Sequence, residues 1–141
     1  MSTRVTDARG DARRVASLLD DRLYEFNVQA TGFADWAELC FIVSGDDGEM
    51  IAAIAGDSWG ACCEVRQLWV AEPYRRCGHG RTLLNAAEEE ARRRGCRRMV
   101  VMTHSFQAPG FYQRLGYRQI ATVEGYPEGH AKLTLVKQLA S

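Results

Sequence analysis

Hydrophobic and polar residues alternate with different periods along the 141-residue chain, and these periods predict its helices and strands. Over about residues 8–30, apolar residues recur at spacings of three and four, which is typical of one face of a helix, and Gly32 is expected to end it. Short apolar runs bounded by turn residues favour strands. The predicted strands are residues 1–6, 38–44, a strand resuming at residue 50, and residues 62–70, 98–104, 117–123 and 131–139.

Two further helices are predicted downstream. The first begins near Gly78, ends at Gly95 and has the apolar stripe Leu83, Leu84, Ala87 and Ala91. Its charged run "EEEARRRG" is interpreted as a solvated outer face with three acid–base pairs at i,i+4 spacing. The second is short and covers about residues 109–115.

The order of these elements predicts the topology. The only strong strand–helix–strand unit covers residues 62–104, so we expect one parallel strand pair within a mostly antiparallel sheet. Since no repeat or linker interrupts the chain, a single domain over residues 1–141 is expected.

Composition narrows the classes of partner. Lys plus Arg and Asp plus Glu are 18 each, and a net charge of zero argues against nucleic acid as the main partner. No apolar run approaches the roughly 20 residues that cross a bilayer, and the N-terminus lacks the pattern of a signal peptide, so a cytoplasmic location without membrane contact is expected. The five cysteines contain no CxxC pair, which argues against a metal site and favours small buried apolar side chains.

The segment "PYRRCGHGRTLL", residues 73–84, carries the clearest chemistry. It places Gly78 and Gly80 and several arginines at the start of a predicted helix. The first N–H groups of a helix have no partner within it and attract anions, and glycine lets the backbone approach them closely. The loop is therefore expected to bind a phosphate or diphosphate. It fits neither a Walker loop nor a GxGxxG dinucleotide loop.

The pattern Arg75-x-x-Gly78-x-Gly80 after a strand resembles the acyl-CoA loop of the GNAT superfamily of N-acetyltransferases. A second segment, "FYQRLGY" at residues 111–117, resembles the later GNAT motif and lies at the expected distance from the first. The resemblance covers the whole chain. It implies an α+β, three-layer fold with a mixed, mostly antiparallel sheet of six to seven strands, splayed at the acetyl-CoA site and flanked by helices.

The resemblance also implies residue roles. Val70 would donate its N–H to the oxyanion, and Tyr112 would protonate the leaving thiolate. The alternative for Tyr112 is a core aromatic residue beside Phe111. Glu64 is either the general base or a surface acid paired with Arg66, and side-chain alternation predicts that Glu64, Arg66, Leu68 and Val70 share one face. Acetyl-CoA would contact Leu68, Trp69, Val70, Arg75, Arg76, Cys77, Gly78, His79, Gly80, Arg81, Thr82, Gln107 and Tyr112.

The amine acceptor is expected on the remaining side of the site. The candidate substrate residues are Tyr24, Glu25, Asn27, Asp57, Trp59, His104 and His130. The function implied is acetylation of a primary amine of a small molecule, such as an aminoglycoside-like antibiotic, a polyamine or an amino-acid derivative, with a role in antibiotic resistance among the possibilities. Acetylation of a protein N-terminus or lysine, and a non-catalytic CoA-binding sensor, are the alternatives. Pairing of edge strands would give a homodimer.

Overall fold

The computed structural model describes residues 1–139, which form two compact units, Met1–Ala34 and a larger unit that begins at Asp35. The first unit contains a 3-10 turn, Arg9–Asp11, and helix α1, Ala12–Thr31, so the predicted helix is confirmed. Gly32 ends it in the left-handed conformation, at φ 80°. The predicted strand at residues 1–6 is wrong, because this mostly polar segment has no partner strand for its backbone groups.

The second unit is built on a six-stranded sheet with the order β1-β2-β3-β4-β6-β5. Among the strands of residues 1–139, only β3 and β4 pair in parallel, as the strand–helix–strand pattern predicts. Among the described residues, no helix has both the length and the apolar character needed to span a bilayer. The elements are β1 Ala37–Ser44, β2 Met50–Trp59, β3 Cys62–Val70, a 3-10 turn Glu72–Tyr74, α2 His79–Arg93, β4 Arg98–His104, α3 Pro109–Arg114, β5 Arg118–Glu124 and β6 Ala131–Gln138.

Helix α2 packs on one face of the sheet through the apolar stripe predicted for it. Leu83, Leu84, Ala87 and Ala91 are all buried, and they belong to the same core as Ile54 of β2. Full burial of a leucine side chain contributes about 2 kcal/mol. The stripe therefore fixes α2 over the strands whose ends form the site described below.

A β-bulge interrupts β3 at Arg66. In the register between β2 and β3, Ala55 pairs with Gln67 whereas Gly56 pairs with Val65, so Arg66 is the extra residue. The strands approach so closely here that a Cβ on Gly56 would lie 2.0 Å from the carbonyl oxygen of Glu64. Glycine is therefore required at position 56.

The bulge changes which side chains of β3 face the core. Cys63 and Val65 are buried before it, and Leu68 and Val70 pack against the same core after it. Glu64 consequently lies on the opposite face from Leu68 and Val70. The predicted common face of Glu64, Arg66, Leu68 and Val70 is wrong, because simple alternation does not hold across an inserted residue.

The parallel pair β3–β4 is short. Its pairing runs from Cys62 opposite Arg98 to Val65 opposite Val101, although the strands continue to Val70 and His104. Beyond Val65 the two strands separate, which confirms the predicted splay.

The charged run on α2 is not simply a solvated face. Glu88 is only 4% exposed. Two of the predicted ion pairs are present, Glu88–Arg92 at 3.9 Å and Glu90–Arg94 at 2.8 Å, whereas Glu89 pairs with Arg92 instead of its predicted partner. The interpretation of this run as a solvated outer face is therefore wrong at Glu88. Glu88 is buried because it makes a polar contact across the core, which is described below.

Arg94 connects the end of α2 to the edge of the sheet. Its guanidinium donates to the carbonyl oxygens of Ala37 and Glu38 at 3.2 and 2.8 Å, and to the hydroxyl of Ser58 at 3.0 Å. These donors join α2 to two backbone acceptors of β1 and a side chain of β2. Arg94 is thus a structural residue rather than a surface charge.

Candidate active site

The separation of β3 and β4 leaves a cleft on each side of the strand ends. The first cleft has a volume of about 280 Å³ and the second about 320 Å³. Both are bordered by Val65, Arg66, Met102 and Gln107, so they meet at the gap. The first is otherwise lined by Gln67, Leu68, Trp69, Val101, Thr103 and Tyr112, and the second by Glu64, His104 and Lys132.

The backbone of β3 offers hydrogen-bond donors to this gap. Hydrogen-bonded and non-hydrogen-bonded positions alternate along an antiparallel pair, and Ala71 donates to Ile51 of β2 at 2.8 Å. Trp69, two residues earlier, therefore also faces β2. The N–H groups of Leu68 and Val70 point to the other side, where β4 no longer pairs.

Tyr112 lies on α3 and borders the first cleft with a side chain that is 7% exposed. Its ring is held edge-to-face by Phe111 and Tyr117, with centroid distances of 5.1 and 5.7 Å. Burial raises the pKa of Tyr112 to about 12. The phenol therefore keeps its proton at neutral pH and can act only as a donor of that proton, not as a base.

The glycine loop connects the end of β3 to α2. Arg75 Nε donates to the carbonyl oxygen of Val70 at 3.0 Å, and both the N–H and the hydroxyl of Thr82 donate to Gly78 O at 3.0 Å. Within the described part of the chain, no protein acceptor receives the backbone N–H groups of residues 76–81. These donors are available to an anion at the start of α2.

Gly80 brings the loop into contact with the second motif. A Cβ at this position would lie 3.3 Å from Cζ of Phe111. Gly78 has a different requirement, since space around it is open but its φ of 88° is left-handed. The two glycines therefore serve packing at one position and backbone conformation at the other.

Two carboxylates lie side by side on the opposite face of the sheet. Asp57 and Glu64 occupy directly paired positions on β2 and β3. Arg66 contacts both, with its Nε 2.8 Å from Asp57 and its Nη2 3.4 Å from Glu64. Like charges at paired positions repel each other, and the guanidinium at the bulge offsets that repulsion.

Aromatic rings form a cluster beside the second cleft. His104 stacks on Phe106 at 5.3 Å, and Phe106 contacts His130 edge-on at 5.0 Å. His104 Nδ1 is 3.0 Å from the carbonyl oxygen of Tyr126, which can only accept, so Nδ1 is the donor in this contact. Sequence reasoning did not select Phe106 and Tyr126, although both lie within four residues of a selected histidine.

Comparisons with known proteins agree with this geometry. A family model described as the acetyltransferase (GNAT) family matches residues 7–117, more than half of the chain. The chain belongs to the GNAT family. It is 42% identical over 96 residues to blasticidin-S acetyltransferase of Streptomyces morookaense, covering 67% of this chain and 71% of that protein. The crystal structure of an acetyltransferase from Bacillus cereus is 27% identical, with a TM-score of 0.83 and 99% of each chain covered.

A second curated relative spans more of the GNAT chain. Acetyltransferase Atu2258 of Agrobacterium fabrum is 30% identical over 118 residues, which are 84% of this chain and 86% of that protein. The protein is therefore an acyltransferase that uses acetyl-CoA, as the two motifs predict.

The structure does not bring every predicted GNAT site residue to the clefts. Trp59 pairs with Cys62 at the hairpin end of β2, where β3 and β4 are still joined, and it lines neither cleft. Tyr24, Glu25 and Asn27 lie on α1 in the first unit, and their part in acceptor binding stays a prediction.

Proposed function

We propose that this GNAT enzyme acetylates a primary amine of a small cationic molecule, with blasticidin S as the first acceptor to test. The observation that carries the proposal is the gap between β3 and β4, which joins a cleft bordered by Tyr112 to one bordered by Glu64. Two reactants can meet there from opposite faces of the sheet. The similarity to blasticidin-S acetyltransferase supports an antibiotic as the acceptor.

Acetyl-CoA supplies an acetyl group on a thioester, whose thiol is a good leaving group. The unpartnered N–H groups at residues 76–81 fit its diphosphate, together with the positive charge of Arg76 and Arg81. Cys77, Gly78, His79 and Gly80 contribute backbone to the same loop, and Thr82 and Arg75 hold the loop in place. Leu68 and Val70 offer main-chain donors, beside Trp69 and Gln107, to the rest of the donor molecule.

Three groups carry the transfer. The acceptor amine is almost wholly protonated at neutral pH and cannot attack in that form. Glu64 removes the proton from this ammonium group. The N–H of Val70 stabilises the developing oxyanion, a contribution of about 3 kcal/mol for one well-placed donor. Tyr112 then donates its proton to the departing thiolate as the C–S bond breaks, and the second proton that the nitrogen loses in forming the amide restores the phenol. Burial in the same cleft makes that thiolate more basic, which offsets the raised pKa of the phenol.

Paired carboxylates and an aromatic ring on the second face can receive the ammonium group of an acceptor. Asp57 and Glu64 supply two carboxylates, and their formal charge is balanced by Arg66, which contacts both, and by Lys132, which lines the same cleft as Glu64. Phe106, which contacts His104 and His130, adds an aromatic ring beside the second cleft, and a cation can lie against such a ring.

The proposal is tested by release of free thiol from acetyl-CoA with blasticidin S, an aminoglycoside, a polyamine and an amino-acid amide as acceptors. We expect amine-dependent release with at least one cationic acceptor. Tyr112→Phe should lower kcat by about 10²-fold, the lower range for loss of a general acid, while acetyl-CoA affinity is retained. If CoA binds but no amine accelerates release, the proposed function is contradicted. Unchanged turnover in Tyr112→Phe would remove Tyr112 from the mechanism.

A further inference from the structure

A buried polar contact lies directly behind Tyr112. The hydroxyl of Tyr117 donates to Glu88 Oε2 at 2.8 Å, and the ammonium of Lys137 lies 2.9 Å from Glu88 Oε1. Glu88 and Tyr117 are 4% and 3% exposed. We call Glu88, Tyr117 and Lys137 the polar triad. It joins α2, the segment after α3, and β6.

Stability alone does not account for this arrangement. Glu88 stands in the buried stripe of α2, between Leu84 and Ala91, where an apolar residue would pack without any desolvation cost. Replacing buried ion pairs by apolar residues of similar volume is often neutral or stabilising. A carboxylate held there by close contacts with Tyr117 and Lys137, with Arg92 3.9 Å away, therefore points to a role in geometry.

The position of Tyr112 depends on Tyr117. Among residues 1–139, no protein group forms a hydrogen bond with the Tyr112 hydroxyl, so nothing fixes that oxygen directly. Helix α3 is only six residues long. Tyr117 makes two contacts with Tyr112, because its N–H donates to Tyr112 O at 3.0 Å and its ring packs edge-to-face at 72°.

We propose that Tyr117, anchored by Glu88 and Lys137, is a positioning residue that aims the Tyr112 hydroxyl at the leaving group. The inference rests on the proposed function of Tyr112 as general acid. Without the hydroxyl of Tyr117, its ring loses its hydrogen bond and keeps only packing and the ammonium of Lys137, 5.6 Å from the ring centre, so the ring of Tyr112 can move with it. Small displacements of a catalytic group lower turnover strongly while leaving substrate binding nearly unchanged.

The test is a double-mutant cycle of Tyr117→Phe and Tyr112→Phe in the full chain, with acetyl-CoA and the best acceptor found above. Tyr117→Phe keeps the ring and removes the contact with Glu88. We expect kcat to fall about tenfold with an unchanged KM for acetyl-CoA. In the Tyr112→Phe background, Tyr117→Phe should cause no further loss, because it acts only through the phenol.

A second cycle replaces Tyr117→Phe by Glu88→Gln, which keeps an acceptor for the Tyr117 hydroxyl and should lower kcat less. It also serves if Tyr117→Phe does not fold. Leu39→Val, a core change in β1 away from the clefts, is the control for a loss of stability without loss of geometry. If Tyr117→Phe or Glu88→Gln lowers kcat equally in the wild-type and Tyr112→Phe backgrounds, the inference is overturned, but the role of Tyr112 as general acid is not. Full activity of Tyr112→Phe would overturn both.

Discussion

Gly80→Val tests whether the start of α2 is the CoA-binding loop. Gly80 has an ordinary helical backbone, so the side chain itself causes no φ strain. A Cβ there lies 3.3 Å from Cζ and 3.6 Å from Cε1 of Phe111, and 3.9 Å from Cγ2 of Val70, whereas ordinary contact spans 3.4–4 Å. An alanine needs a shift of a few tenths of an ångström, but the two methyl groups of valine need considerably more.

The expected magnitude follows from this overlap. Overpacking of this kind costs about 1–3 kcal/mol, and the structure can relieve it by moving either Phe111 or the first turn of α2. Movement of that turn misaligns the N–H donors of the loop. Loss of one hydrogen bond to a charged group costs about 1.5–3 kcal/mol, so we expect the Kd for CoA to rise at least about tenfold.

Titration calorimetry with CoA measures this effect without turnover. Gly10→Val is the matched control, because no atom lies within 4 Å of a Cβ at that position and it belongs to the first unit. Urea unfolding of each variant separates binding from stability. Wild-type CoA affinity in folded Gly80→Val would refute the assignment of the loop. The Kd of Gly80→Ala for CoA should lie between those of the wild type and Gly80→Val.

Three other outcomes are expected. Cys77 and Cys40 are both exposed, and acetyl-CoA should protect Cys77 from alkylation without protecting Cys40. Peptide mass spectrometry measures the labelling of each thiol. Equal labelling of Cys77 with and without acetyl-CoA would show that the loop does not bind the cofactor. Turnover should not decline at alkaline pH until the Tyr112 proton is lost near its pKa of about 12, so a fall around pH 8 or 9 in the rate profile would exclude Tyr112 as the acid. Glu64→Gln should lower kcat/KM at neutral pH by about 10²-fold and recover at high pH, whereas Asp57→Asn should keep the base; equal losses at every pH would indicate charge alone.

Local patterns predict most of the fold because they record which face of each element is buried. The stripe of α2 and the strands from Cys62–Val70 to Ala131–Gln138 follow directly from side-chain periods. The two glycine-containing motifs also predict the family, since their residues must meet in space: Gly80 contacts Phe111. The strand prediction for residues 1–6 is wrong because strand formation requires a partner strand, which the sequence of the segment itself does not specify.

The polar triad beside the site could not be predicted from local patterns, because its contacts join residues that are distant in sequence. Glu88 meets Tyr117 and Lys137 across 29 and 49 residues, and no local pattern contains those distances. One signal was present, however. Position 88 follows Leu84 by four residues and precedes Ala91 by three, which places it in the buried stripe rather than on the outer face. A charged residue at such a spacing predicts a buried partner.

The bulge at Arg66 shows how one inserted residue arranges both sides of the reaction. Before it, Glu64 faces the second cleft while Val65 enters the core. After it, Leu68 and Val70 face the core, and their N–H groups point into the gap that β4 leaves. A regular strand would put Glu64 and Val70 on the same face and bring the base and the oxyanion donor to one side of the sheet. Because Arg66 has no partner on β2, the partners of Glu64 and Val70, Asp57 and Ala52, are an odd number of residues apart, and this odd spacing is what puts the base and the oxyanion donor on opposite faces.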